Sequence, residues 1–165
     1  MKTIHIIDSK EKVIEGSHFT FHEFFKPKFG GGIEFDMPEP LMLAMEILRN
    51  YFHLFWRITS VIRPKDTFGY HINGLAIDSE PFDISKWNEC EEIFKEECLN
   101  YQKIRKSKLI VDLRDAGITG FGIEKGCIHL DVRSDHFHSK DSFGEYCIFF
   151  WEDDGTEYGN SQIIL

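Results

Sequence analysis

The spacing of apolar residues changes several times along this chain, and each change marks an element. Ile4 and Ile6 alternate with polar neighbours, which predicts a strand over Thr3–Ile7, followed by a polar turn and the segment "HFTFHEFF". Lys26–Pro40 holds Gly30-Gly31-Gly32 and three prolines and is expected to be a loop. From Pro40, which suits a first helical turn, Leu41, Ala44, Leu48, Tyr51 and Phe55 keep helical spacing. Apolar residues surround most of that helix, so it should be buried. Trp56–Ile62 reads as a strand, "RPKDTFGY" as a loop, and Gly74–Ser79 as a strand with Ala76 and Asp78 on one face.

Asp83 or Ser85 is placed to cap a helix that carries Trp87, Cys90, Phe94, Cys98 and Tyr101 along one side. A further helix should start at Ser107 and stop at Gly117. Gly120–Glu124 and Cys127–Arg133, joined at Lys125-Gly126, predict a β-hairpin with Cys127, His129 and Asp131 on the same side. Tyr146–Trp151 is one more strand. These elements describe an α+β fold, a small antiparallel sheet with packed helices, in one domain over residues 1–165.

Length and composition narrow the picture further. A chain of 165 residues with sixteen Phe can build a sizeable core. Its net charge of −9 argues against non-specific nucleic-acid binding, which depends on Lys and Arg neutralising phosphates. Cys90, Cys98, Cys127 and Cys147 are irregularly spaced without CxxC pairs, so buried thiols are expected rather than disulfides or a Cys-rich metal site. The N-terminus mixes charge with β-branched residues, and no run of eighteen apolar residues occurs. A soluble monomer made in the cytoplasm without a signal peptide, and with no membrane partner, is expected.

The chemistry concentrates in "YHINGLAID" and "GCIHLDVR". His71, Asp78 and His129 supply two imidazoles and a carboxylate, a donor set that suits zinc better than calcium or magnesium. Three protein ligands leave the fourth zinc position open for water.

The flanks of these residues resemble the zinc D-alanyl-D-alanine carboxypeptidases and related peptidoglycan peptidases, which share a metal fold with lysostaphin-type peptidases and the hedgehog signalling domain. Thr59, Ser60 and Arg63 are similar to a serine-rich phrase ending a strand in that family. His71, Gly74, Ala76 and Asp78 match its H-x-x-G-x-A-x-D loop, and Gly120, Gly122, Ile123, His129, Asp131, Val132 and Arg133 match its later hairpin. The N-terminal "HFTFHEFF" is similar to the entrance of one phage and bacterial branch.

The resemblance implies a hedgehog/DD-peptidase-like fold with a central Zn2+ held by His71, Asp78 and His129. It also implies hydrolysis of D-amino-acid-containing stem peptides of peptidoglycan, with the cell wall as the site of action. Arg63 would help hold the substrate, and Asp131 would orient an imidazole. The family's acidic general base lies three positions before the last histidine, where this chain has Gly126; Glu124 is the nearest substitute. His136 and His138 could donate protons or add a ligand, and Cys127 could cap the metal. The missing acid keeps two other readings open: a zinc-stabilised peptide- or wall-binding module on the same fold, and a structural phage-particle protein.

Overall fold

In the computed structural model the described residues are 1–63, 70–124, 126–132, 149–152 and 157–158. The first strand forms where alternation places it, as β1 (Thr3–Ile6), and pairs antiparallel with β2 (Phe35–Pro38). The stretch 26–40 is therefore not wholly a loop. Phe35 and Met37 alternate with exposed Asp36 and are buried, a signal too short to stand out among glycines and prolines. Between these strands "FHEFF" becomes α1 (Phe21–Phe25), opened by a capping box of Thr20 and Glu23, with Phe24 and Phe25 turned into the core.

The long central helix α2 (Glu39–Phe52) carries Pro40 in its first turn and buries Leu41, Met42, Ala44, Met45 and Leu48. It ends short of Phe55, because His53 takes the left-handed conformation that closes helices. Phe55 continues the spacing but not the helix; it is 69% exposed beneath the Arg49 guanidinium.

The main sheet has six strands in the order β3-β4-β6-β5-β7-β8. They are β3 (Trp56–Ser60), β4 (Ala76–Pro81), β5 (Gly120–Glu124), β6 (Cys127–Asp131), β7 (Phe149–Glu152) and β8 (Glu157–Tyr158). The hairpin expected around Lys125-Gly126 is present, with Glu124 opposite Cys127. Neighbours are antiparallel except β5 and β7, which run parallel, so the expected antiparallel sheet is mixed at one join.

Asp83 accepts a hydrogen bond from Ser85 N–H and opens a short 3-10 turn that runs into α3 (Trp87–Ile104). Of the expected face of this helix, Cys90, Phe94, Cys98 and Tyr101 are buried and Trp87 is partly buried. Ser107 caps α4 (Lys108–Asp115), its Oγ accepting from Ile110 N–H at 3.0 Å. Helix α2 packs on β3, β4 and β6, α3 packs on β4, and α4 packs on both helices.

Ile77, Ile128, Leu130 and Phe121 form the sheet face of this core. Because side chains alternate, the opposite face of β4 and β6 receives Asp78, Glu80, Cys127, His129 and Asp131. Cys90, Cys98 and Cys127 are free and buried, and burial pushes the Cys98 thiol well up. Among the described residues no helix is long and apolar enough to cross a membrane.

Candidate metal centre

One row of register partners crosses four strands. Ser60 lies opposite Asp78, Asp78 opposite His129, and His129 opposite Gly122. Directly opposed residues share a face, so the sheet register alone brings Asp78 and His129 together. His71 arrives from elsewhere, on the 3-10 turn Tyr70–Asn73, whose backbone is fixed by Arg63 N–H and Gly74 N–H donating to His71 O at 2.9 and 3.2 Å.

The three side chains converge. His71 Nε2 is 3.1 Å from Asp78 Oδ1 and 3.3 Å from His129 Nδ1, and His129 Nδ1 is 2.8 Å from Asp78 Oδ1. All three residues are buried, and together they form a group able to hold a metal ion. In a tetrahedral site with bonds of about 2.0–2.1 Å, ligand atoms stand about 3.3 Å apart, close to these separations.

The outer hydrogen bonds decide what the inner atoms are. His71 Nδ1 is 2.7 Å from the Val61 carbonyl, which can only accept, so Nδ1 carries the hydrogen and Nε2 presents a lone pair inward. His129 Nε2 is 3.1 Å from Asp131 Oδ2, which assigns the Nε2 hydrogen to that contact and leaves Nδ1 facing inward. With Asp78 ionised, three acceptors point at one spot. Such a set repels itself unless a cation or a shared proton sits between its members, and this is the donor arrangement a metal ion fits.

Without metal, a proton takes that place. Burial acts to lower the His129 pKa, but the Asp131 and Asp78 carboxylates outweigh it and raise the pKa to about 9. Burial likewise acts to raise the Asp78 pKa, yet the close contacts with the protonated His129 ring and with His71 hold its carboxyl well below the usual carboxylate range.

Asp131 is fully buried, and a glycine makes room for it. Gly120 is its register partner on β5, and a Cβ there would lie 2.2 Å from Asp131 Oδ1 and 2.3 Å from Cγ. No ordinary contact is that short, so any side chain at 120 would drive the carboxylate off its place.

The other expected site residues fall out as follows. Arg63 leaves β3 toward the site, with Nη2 3.8 Å from Asp78 Oδ2. Glu124 ends β5 opposite Cys127, two register steps from His129; its side chain lies outside what is described. Gly126 occupies the turn at φ +84°, so no side chain reaches the centre from there. Cys127 is on the metal face of β6 and buried, but it is not part of the converging group. His136 and His138 lie outside the described residues.

Sequence reasoning missed two parts of this centre. The Val61 carbonyl is backbone and leaves no trace in the residue type. Gly120 could be quoted as a motif glycine, but only the register with Asp131 reveals its task. Compared with known protein families, with curated proteins and with solved structures, the chain matches none.

Proposed function

We propose that this chain is a zinc metallopeptidase of the hedgehog/DD-peptidase fold that cleaves D-amino-acid-containing stem peptides of peptidoglycan. The observation that carries the reading is the buried set of three inward-facing acceptors on His71, Asp78 and His129, with both tautomers set from outside. Two imidazoles with one carboxylate favour zinc over harder cations, and three ligands leave a position for chemistry. The resemblance of the surrounding motifs to peptidoglycan peptidases supports the substrate class.

When bound, zinc supplies Lewis acidity toward a carbonyl oxygen and a nucleophile from water at neutral pH. The protein's own groups do the rest. Val61 O and the Asp131 carboxylate hold the two imidazoles in their ligand tautomers. Arg63, close to Asp78, is assigned the task of helping to hold the substrate beside the metal position. Glu124 is assigned the proton transfer from water to the leaving amine. The test is hydrolysis of D-Ala-terminated muropeptides by zinc-loaded protein. Glu124→Gln should leave zinc content unchanged and lower turnover by roughly the 10²–10⁴-fold that general base catalysis supplies. Absence of turnover with one zinc bound would overturn the peptidase reading.

One observation favours a second reading, a zinc-stabilised binding module. At φ +84° Gly126 sits where a side-chain-bearing residue is strained, so the hairpin itself disfavours an acid at the family's usual position.

A further inference from the structure

Strand β3 breaks its alternation beside the metal centre. Ile58 pairs with Ser79 on β4, so regular antiparallel pairing would set Thr59 opposite Asp78 and Ser60 opposite Ile77. Instead Ser60 is the register partner of Asp78, which makes Thr59 an extra residue on β3, a β-bulge. The neighbouring backbone fixes this irregularity, because Lys28 N–H donates to Ile58 O at 3.2 Å and Phe29 N–H to Thr59 O at 2.7 Å. Successive carbonyls of a regular strand point to opposite edges, and here both serve one segment.

The bulge decides which side of the sheet receives Ser60. In unbroken alternation it would share the core face with Ile58; opposite Asp78 it joins the face of the converging group. Thr59 and Ser60 are each 3% exposed, and among the described residues neither Thr59 Oγ1 nor Ser60 Oγ has a hydrogen-bond partner. A buried hydroxyl without a partner destabilises the fold that contains it, so its place calls for a reason. The Ser79 hydroxyl is also without a partner, but it stands opposite Ile58 and Ile128 on the core side. Beside Ser60 there is an acceptor. Asp78 Oδ1 faces the two imidazoles, while Oδ2 lies 3.8 Å from Arg63 Nη2, too far for a hydrogen bond. Directly opposed residues have Cβ atoms about 4.5–5.5 Å apart, a gap that these two short side chains can close with one hydrogen bond.

We propose that Ser60 is a positioning residue of the metal centre. With the ion bound, a rotation about χ1 brings its hydroxyl to donate to Asp78 Oδ2, which leaves Oδ1 as the one ligand atom of that carboxylate. A carboxylate held in this way occupies one metal position rather than two, so the fourth position stays open. This role rests on the metal site proposed above and is independent of the substrate.

The full chain is titrated with zinc against a chromophoric chelator, and its visible absorption is recorded at saturating cobalt(II). Ser60→Ala should weaken zinc about 10–100-fold, the usual effect of losing an outer partner. Its cobalt bands should also lose intensity, because a second Asp78 oxygen raises the coordination number. Ser60→Thr keeps the hydroxyl and should retain wild-type affinity and spectrum, and Thr59→Val, which removes the neighbouring hydroxyl, should do the same. In metal-free protein Ser60→Ala should melt at or above the wild-type temperature, since the group removed has no partner there. A lower metal-free Tm marks a merely structural hydroxyl and overturns the proposal. An unchanged cobalt spectrum in Ser60→Ala, or equal losses of zinc affinity in Ser60→Ala and Thr59→Val, also overturns it and leaves the metal centre standing. If wild type binds neither ion, the metal centre falls and the role of Ser60 with it.

Discussion

At position 120 a single methyl group would be too much. Its contact with the Asp131 carboxylate at 2.2–2.3 Å would push away the group that sets the His129 tautomer. Gly120→Ala and Asp131→Ala should therefore weaken zinc binding alike, by about the 10–100-fold typical of losing such an outer partner. Competition with a chromophoric chelator reads this directly, and unchanged affinity in both variants would remove Asp131 from the centre. His129 gives a second prediction at this scale. Its pKa in the metal-free protein is raised to about 9, so the stability this proton contributes is present below the unfolded-state value of about 6.5 and lost as pH rises through 9. If zinc binds as proposed, it replaces the proton, so zinc-loaded protein should not share this loss. The gap in Tm between zinc-loaded and chelated protein should widen from pH 6.5 to 9, and a constant gap would contradict the assignment. The three members of the converging group were legible in the sequence because residue type and order carry them. The Val61 carbonyl and the emptiness at Gly120 were not, because a backbone acceptor and an absent Cβ acquire meaning only from register.

Among the elements, those with strong end signals were readable and those with weak ones were not. Ser107 marked its helix start correctly, whereas Asp83 caps the 3-10 turn before α3, whose own N-cap is Lys86; each of the two side chains satisfies a backbone N–H that would otherwise lack a partner. Ser107→Ala should cost roughly 1 kcal/mol, lowering Tm by about 2–4 °C in a chain of this size, and denaturant unfolding measures it. The strand β2 escaped notice because its alternating buried residues, Phe35 and Met37, sit between the glycine run and a buried Pro38. Phe55 misled in the opposite direction, since spacing cannot show that His53 turns left-handed. The β5–β6 hairpin was legible, although β6 ends at Asp131, and its turn carries a functional prediction. If the chain is a binding module without turnover, Gly126→Asp should create hydrolysis, because the space around position 126 is open and Asp tolerates φ +84° better than Glu does. An active wild type whose turnover falls with Glu124→Gln would exclude that reading.

For the molecule as a whole, the centre joins segments that the chain keeps far apart. His71 belongs to the turn after β3, Asp78 to β4, and His129 to the later hairpin. A metal that binds all three stabilises the folded state by mass action, so chelation should lower Tm at fixed pH. Superimposable melting curves, with metal loss confirmed, would mean the ion contributes nothing to the fold. The α+β class could be read from patterning. The parallel β5–β7 pairing could not, because no residue within either strand carries its direction. The measurement that bears most directly on the centre is elemental analysis of purified protein equilibrated with zinc and freed of excess. About one zinc per chain is expected for wild type, the stoichiometry of a single three-ligand site, with most of it lost in His129→Ala. A full equivalent of zinc retained by the triple variant lacking His71, Asp78 and His129, or none taken up by wild type, would contradict the account.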